Sequence, residues 1–207
     1  MAEVKDLSKY DIILAVDKSG SMAEKVSKGA TQTKWEAAKE ATVALATKAA
    51  TFDDDGITVA VFANNFKEYE NINDGPTKAA SIFDENEPNG GTDTAKIINH
   101  YANEYLAAKT KGEAKPVILL IVTDGVPNDE RAVVREIIAL ANKLDNREEF
   151  GIQFLQIGDD AHAHKFLKEL DDNLTSEGAK LDIVDTKTFD EMENLSLAEV
   201  LLDALTD

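Results

Sequence analysis

Cysteine is absent from the 207-residue sequence, so no disulfide can form within the chain. Long hydrophobic runs are absent too. The longest purely apolar segment, Val117 to Val122, is far shorter than the roughly 20 residues that a membrane-spanning helix needs. Residues 1–6 also lack the basic and then apolar order of a secretory signal peptide. These features predict a soluble, cytoplasmic protein that does not associate with membranes.

Basic side chains are few, and they do not cluster. The chain has 22 Lys and Arg residues against 40 Asp and Glu residues, which gives a formal net charge of −18. Nucleic-acid backbones and anionic lipid headgroups bind basic patches. We therefore expect no nucleic acid and no membrane surface as a partner, whereas cations and basic protein faces remain compatible with this charge.

Linkers rich in proline, glycine or serine are also missing, and the sequence shows neither an internal repeat nor a low-complexity tract. The length fits one domain, because domains commonly have about 100–200 residues. Hydrophobic residues make up 43% of the chain, which is ordinary for a protein with a packed core. The sequence thus predicts a single domain over residues 1–207, with its core from about residue 8 onward.

Short apolar runs alternate with longer amphipathic stretches along the chain. The runs predict strands over residues 11–16, 57–62, 116–122 and 151–157 and a weaker strand over 181–184. A polar edge strand is predicted over 66–72, followed by a turn at Asp74-Gly75-Pro76. The stretches predict helices from Thr33 to about residue 52 and over 93–109, 129–144, 161–174 and 196–205. Two of these helices begin with a capping box, Thr33 with Glu36 and Ser196 with Glu199. This alternation predicts a doubly wound, Rossmann-like α/β fold: a mostly parallel central sheet with one short antiparallel edge strand and helices on both faces.

Polar residues follow two of the predicted strands. Asp17-Lys18-Ser19-Gly20-Ser21 follows the first strand, Thr123-Asp124-Gly125 follows the strand over 116–122, and Gly90-Gly91-Thr92 precedes a helix. In such sheets, ligands bind at the carboxyl ends of the strands. Carboxylates and hydroxyls without His or Cys suit a hard cation. The three segments therefore predict a site for Mg²⁺ or Mn²⁺, with Ca²⁺ as a third candidate.

The three segments together resemble the metal-ion-dependent adhesion site of von Willebrand factor type A domains. That site is written DxSxS…T…D, and Asp17, Ser19, Ser21, Thr92 and Asp124 fill its five positions. The order of predicted strands and helices is similar to this family across about residues 8–207. The chain is thus identified as resembling an intracellular, bacterial-type member of the family.

This resemblance implies roles for the five residues. Ser19, Ser21 and Thr92 would contact the ion directly or through water, and Asp17 and Asp124 would mostly hold its waters. A Glu or Asp of a partner protein would complete the coordination. The resemblance further implies a non-enzymatic protein-interaction module, as in stress-response or ATPase-associated assemblies. It also implies that the C-terminal helix over 196–205 could change the affinity for the partner by sliding.

Other interpretations of the same residues remain open. Asp and Ser favour turns and helix caps without any ligand, so each segment alone could be a simple loop. The chain could also be a scaffold or subunit whose cation only stabilises the loops, with the partner bound elsewhere.

Several enzyme classes do not fit the sequence. A phosphatase of the haloacid dehalogenase type needs an Asp where Ser19 stands. The sequence also lacks a serine-hydrolase elbow, a P-loop and a dinucleotide-binding glycine motif.

Three lesser features have simpler explanations. Asp53-Asp54-Asp55-Gly56 resembles part of a calcium loop, but it lacks the closing glutamate and is interpreted as a turn. His162 and His164 are two positions apart, so on a helix they point to different faces and we expect a solvated helix start. His100 stands alone in its predicted helix and is interpreted as structural.

Overall fold

The computed structural model describes residues 7–49, 56–72 and 76–192 together with Val200. Within these residues one sheet contains six strands, which are β1 (Asp11–Asp17), β2 (Ile57–Phe62), β3 (Phe66–Ile72), β4 (Val117–Thr123), β5 (Phe150–Gln156) and β6 (Val184–Thr188). The helices are α1 (Lys34–Ala49), α2 (Pro76–Asp84), α3 (Thr94–Lys111), α4 (Glu130–Ala141), α5 (Ala161–Asn173) and the short α6 (Phe189–Met192). A 3₁₀ turn, Gly20–Ala23, follows β1.

The strand order is β3-β2-β1-β4-β5-β6. All neighbouring strands are parallel except β2 and β3, which are antiparallel. This sheet confirms the predicted doubly wound, Rossmann-like α/β class with one antiparallel edge strand. The chain runs outward from β1 in one direction through β2 and in the other through β4. The carboxyl ends of β1 and β4 therefore flank the point where the strand order reverses, which is where such folds bind ligands.

The core lies on both faces of the sheet because successive side chains of a strand point to opposite faces. In β1, Leu14 and Val16 pack on one face, whereas Ile13 and Ala15 pack on the other. Helices α1 and α2 cover the first face, and α3, α4 and α5 cover the second. All seven residues of β4 are buried, as expected for a central strand covered on both sides.

Most predicted elements are confirmed within a few residues, with two exceptions. The last strand is Val184–Thr188 rather than 181–184, and helix α2 was not predicted. Several predictions lie outside the described residues: the part of one predicted turn at Asp53, Asp54 and Asp55, the part of another at Asp74 and Gly75, and the helix over 196–205 apart from Val200. Among the residues that the structure describes, no helix is both long and apolar enough to cross a membrane.

Candidate metal centre

Asp17 ends β1 and is fully buried. Its Oδ1 accepts a hydrogen bond from the backbone N–H of Ser19 at 2.7 Å, and its Oδ2 accepts one from the Thr123 hydroxyl at 2.7 Å. Burial raises the pKa of Asp17 to about 6, although these hydrogen bonds work in the opposite direction. A buried carboxylate of this kind is most stable as an anion when a positive charge lies close to it.

Ser19, Ser21 and Asp124 form a chain of oxygen atoms beside Asp17. The Oγ atoms of Ser19 and Ser21 are 3.1 Å apart, and the Ser21 hydroxyl donates to Asp124 Oδ1 at 2.9 Å. Ser19 and Asp124 are each only 2% exposed. The structure therefore brings together four of the five predicted residues from the carboxyl ends of β1 and β4.

Lys34, at the start of α1, is a member of this site that the sequence did not indicate. Its Nζ donates to Asp124 Oδ2 at 2.7 Å and lies 3.4 Å from Glu24 Oε2. The lysine is 8% exposed. The predicted capping box of α1 is confirmed. Glu36 Oε2 accepts a hydrogen bond from the Thr33 N–H, and the Glu36 N–H donates one to the Thr33 hydroxyl. This box fixes the first turn of α1 and thus the direction of the lysine next to it.

Thr92 comes from the loop before α3, which lies against the Asp17–Ser21 loop. The N–H of Gly20 donates to the Gly90 carbonyl at 3.1 Å, and the N–H of Asn89 donates to the Lys18 carbonyl at 2.7 Å. Asn128 holds Thr92 from the other side, because its Oδ1 accepts from the Thr92 N–H and its own N–H donates to the Thr92 carbonyl. Thr92 is 7% exposed, so it is buried where the loop before α3 lies against the Asp17–Ser21 loop.

These residues fit a hard divalent cation. All the donor atoms are oxygens, which is the chemistry that Mg²⁺ and Mn²⁺ prefer. An octahedron with bonds of about 2.05 Å has edges of about 2.9 Å. The oxygen separations of 3.1 and 2.9 Å at Ser21 are hydrogen-bond distances of similar size, so these oxygens lie close enough together to reach one ion. The two carboxylates and the Lys34 ammonium together carry one net negative charge, which is compatible with a cation but favours it less than two unpaired carboxylates would.

Other carboxylates at this edge of the sheet have a structural role instead. Asp93, Asp129 and Asp160 cap the N-termini of α3, α4 and α5, each accepting a hydrogen bond from a backbone N–H three residues later. Negative side chains at these positions also stabilise the helix dipole. Helix capping therefore explains why carboxylates occur at these three positions, without a bound cation.

The predicted environment of His162 and His164 is confirmed. Both are exposed in the first turn of α5, where His162 Nε2 lies 3.4 Å from Glu130 Oε1 and His164 Nδ1 lies 3.3 Å from Gln156 Oε1. They contact different groups and do not form a shared site.

Comparison with solved structures supports the same architecture. BatB from Bacteroides thetaiotaomicron, described as a conserved hypothetical protein, is similar with a TM-score of 0.62 at 15% identity, over 96% of this chain and 100% of that one. The manganese-loaded TRAP protein of Plasmodium vivax is similar with a TM-score of 0.57 at 16% identity, over 89% of this chain and 70% of that one. At these identities the likeness concerns the fold.

The sequence comparisons give the family. No curated protein sequence matches the chain. The model of the von Willebrand factor type A domain, however, matches residues 12–126, which is more than half of the chain and contains all five predicted site residues. The chain therefore belongs to the von Willebrand factor type A domain family.

Proposed function

We propose that this domain is a divalent-cation-dependent protein-interaction module. In this proposal Asp17, Ser19, Ser21, Thr92 and Asp124 bind Mg²⁺ or Mn²⁺, with Ca²⁺ as a weaker alternative, and the ion accepts a Glu or Asp from a partner protein. The observation that carries the proposal is the convergence of the Ser19, Ser21 and Asp124 oxygens beside the fully buried carboxylate of Asp17. The manganese in the Plasmodium TRAP structure adds support for a divalent ion in this fold.

The role of the partner carboxylate follows from the charge of the site. Two of the five site residues are carboxylates, three carry neutral hydroxyls, and Lys34 offsets one carboxylate. A bound divalent cation would therefore keep a net positive charge of about one, which favours an anionic ligand from outside. A partner Glu or Asp supplies such a ligand.

We further propose that the domain binds rather than catalyses. Within the described residues, the hydroxyls of Ser19 and Ser21 are hydrogen-bonded to each other and to Asp124, and no histidine contacts either of them. A serine nucleophile normally needs an adjacent general base that takes its proton. The setting we propose is the bacterial cytoplasm, in a stress-response or ATPase-associated assembly, and this part of the proposal is carried by the family resemblance alone.

The alternative is a scaffold whose cation only holds the loops together. Several direct hydrogen bonds already connect these loops, such as those from Ser21 and Lys34 to Asp124 and from Gly20 to Gly90. Loops held in this way do not need an ion for their position, so this arrangement favours the interaction module.

Thermal unfolding of EDTA-treated protein tests the cation site. We expect a saturable rise in melting temperature with Mg²⁺ and Mn²⁺, because a ligand that binds only the folded state stabilises it by about 2.7 kcal/mol at a hundredfold excess over Kd. The rise should vanish in Asp17→Ala. It should persist in Asp129→Ser, which removes a carboxylate at the same edge but keeps a capping hydroxyl. An equal response in both variants, or none in the wild type, would exclude the proposed site.

Affinity capture then separates the module from the scaffold. The immobilised full chain should capture a partner in Mg²⁺, release it in EDTA, and fail to capture it as Asp17→Ala. If the cation raises the melting temperature but EDTA leaves capture unchanged, the scaffold alternative is the correct one.

A further inference from the structure

A second group of metal-ligating side chains lies away from the candidate metal centre, where the edge strand β3 meets helix α3. Glu68 belongs to β3, and His100 and Glu104 lie one turn apart on α3. Positions four residues apart share one face of a helix, so both α3 side chains reach the same point. One ligand atom from each of the three residues lies within 4.8 Å of the other two.

Aromatic packing fixes the imidazole of His100. Its ring lies 4.6 Å from the ring of Phe66 and 4.9 Å from that of Tyr101, measured between centroids. The Tyr101 hydroxyl donates to Glu68 Oε1 at 2.7 Å and so fixes the carboxylate as well. Metal ligands are commonly held by such outer contacts, which restrict their rotation before an ion binds.

The surroundings of the group are strongly negative. The pKa of Tyr101 is raised, first by its burial and then by the carboxylates of Glu68, Glu104 and Glu70. The ammonium of Lys96, on the same helix, points instead to the Asn64 carbonyl and the Asn65 side chain, at 3.1 and 2.6 Å. A divalent cation would offset the negative charge that remains.

The types of ligand favour zinc over magnesium, and the distances are compatible with zinc. Tetrahedral Zn²⁺ with bonds of about 2.0–2.1 Å has ligands about 3.3 Å apart. His100 Nε2 lies 3.2 Å from Glu68 Oε1 and 3.6 Å from Glu104 Oε1, on either side of that value. Imidazole nitrogen together with carboxylate oxygen suits Zn²⁺, whereas Mg²⁺ prefers oxygen alone.

We propose that Glu68, His100 and Glu104 form a zinc site that connects the edge strand β3 to helix α3. The side chain of Glu104 is 60% exposed, so the ion can enter from solvent and a water can take the fourth position. The site would stabilise the attachment of β3, which pairs with β2 alone among the strands that the structure describes.

Calorimetric titration of the EDTA-treated and then dialysed full chain with Zn²⁺ tests this proposal. Millimolar Mg²⁺ is kept present so that it occupies the candidate metal centre. We expect one saturable site in the wild type, and affinity weaker by about tenfold or more in His100→Asn and in Glu104→Gln. The double variant His162→Asn/His164→Asn removes the other two histidines and should bind as the wild type does.

Cobalt provides a second measurement, because the visible absorption of Co²⁺ reports low coordination number and nitrogen ligation. The bands should appear in the wild type and disappear in Glu104→Gln. Because Glu104 is exposed, its replacement does not unfold the protein, so misfolding would not explain the loss of the bands. Absence of saturable Zn²⁺ binding in the wild type would overturn the proposal. Binding in His100→Asn and Glu104→Gln within twofold of the wild type would overturn it too.

Discussion

The Nζ atom of Lys34 lies 2.7 Å from Oδ2 of Asp124, and both side chains are almost completely buried. Burial works against the charged lysine, but its pairing with Asp124 and Glu24 raises its pKa. An ammonium is therefore part of a site whose buried carboxylates are those of Asp17 and Asp124, and the exposed Glu24 pairs with the same ammonium. The ammonium reduces the repulsion between the carboxylates of Asp17 and Asp124. It also repels a divalent cation at the same site.

Replacing Lys34 by Met should change stability and cation affinity in opposite directions. Removal of one partner of a buried ion pair leaves the other charge uncompensated, so the cation-free protein should lose about 3 kcal/mol of unfolding free energy. The Kd for Mg²⁺ should fall by on the order of tenfold, because the ion no longer meets the ammonium. Urea unfolding in EDTA and calorimetric titration measure the two effects.

Lys34→Arg is the matched control, since it keeps the positive charge on a long side chain. It should retain most of the stability and a Kd close to that of the wild type. An unchanged Kd in Lys34→Met would show that the ammonium does not influence the ion.

Thr123, at the end of the neighbouring strand β4, donates a hydrogen bond to Asp17. Valine has nearly the same size as threonine, so it removes the hydroxyl without leaving a cavity. Thr123→Val leaves Asp17 Oδ2 without its 2.7 Å hydrogen bond in a buried position. The unfolding free energy should fall by about 1–3 kcal/mol. Thr123→Ser keeps the hydroxyl and should lose less. Equal stability of the Val variant and the wild type in urea unfolding would show that this hydrogen bond contributes nothing.

The sequence predicted the strands well where apolar runs mark strands buried on both faces. It misplaced the last strand, because the apolar residue Ile183 lies just before β6, whereas β6 itself is the largely polar Val184–Thr188. Helix α2 was missed because Pro76 was assigned to a turn. Proline is in fact well suited to the first position of a helix, where its missing N–H is not needed.

The site could be predicted only as far as its residues lie within recognisable segments. Asp17 and Asp124 follow strands, and parallel strands bring their carboxyl ends to one edge of the sheet. Lys34 is 90 residues from Asp124, and no local pattern connects a lysine in a capped helix start to a distant carboxylate. The same reason explains why His100 was interpreted as isolated, since Glu68 lies 32 residues away on another element.

Glu149 gives a pH-dependent contribution to stability away from both sites. Burial opposes its ionisation, but hydrogen bonds from Lys109 at 2.6 Å and Tyr105 at 2.8 Å lower its pKa below the usual 4.5. A lowered pKa in the folded state means that the anion stabilises the fold above the unfolded pKa. This stabilisation is lost as the pH falls through the lower, folded pKa.

Glu149→Gln should therefore be less stable than the wild type at pH 7, by about 1 kcal/mol. The difference should shrink as the pH falls below about 4.5. Denaturant unfolding of both proteins at pH 7 and at pH 3.5 measures this difference in unfolding free energy. The other acidic residues contribute equally to both proteins, so their effects cancel in the difference. A difference that grows toward low pH would contradict the assigned direction of the shift.

Gly91 tests whether Thr92 takes part in cation binding, since it controls the loop from which Thr92 comes. A Cβ at Gly91 would lie 2.7 Å from Asn128 Oδ1 and 2.8 Å from Asn64 Oδ1, which is too close for either amide to stay in place. Those oxygens accept the N–H groups of Thr92 and Gly91. Gly91→Ala should thus break the two hydrogen bonds to these oxygens, displace Thr92, lower stability by about 1 kcal/mol and weaken Mg²⁺ binding.

Gly125→Ala is the matched control, because a Cβ there would meet nothing within 4 Å although Gly125 follows Asp124 directly. Calorimetric titration should give a Kd close to that of the wild type for Gly125→Ala and a weaker one for Gly91→Ala. If Gly91→Ala lost stability but kept the Mg²⁺ affinity, the Thr92 hydroxyl would not be a ligand. The ion would then depend on the carboxyl ends of β1 and β4 alone, because the loop before α3 would support the fold without contributing to coordination.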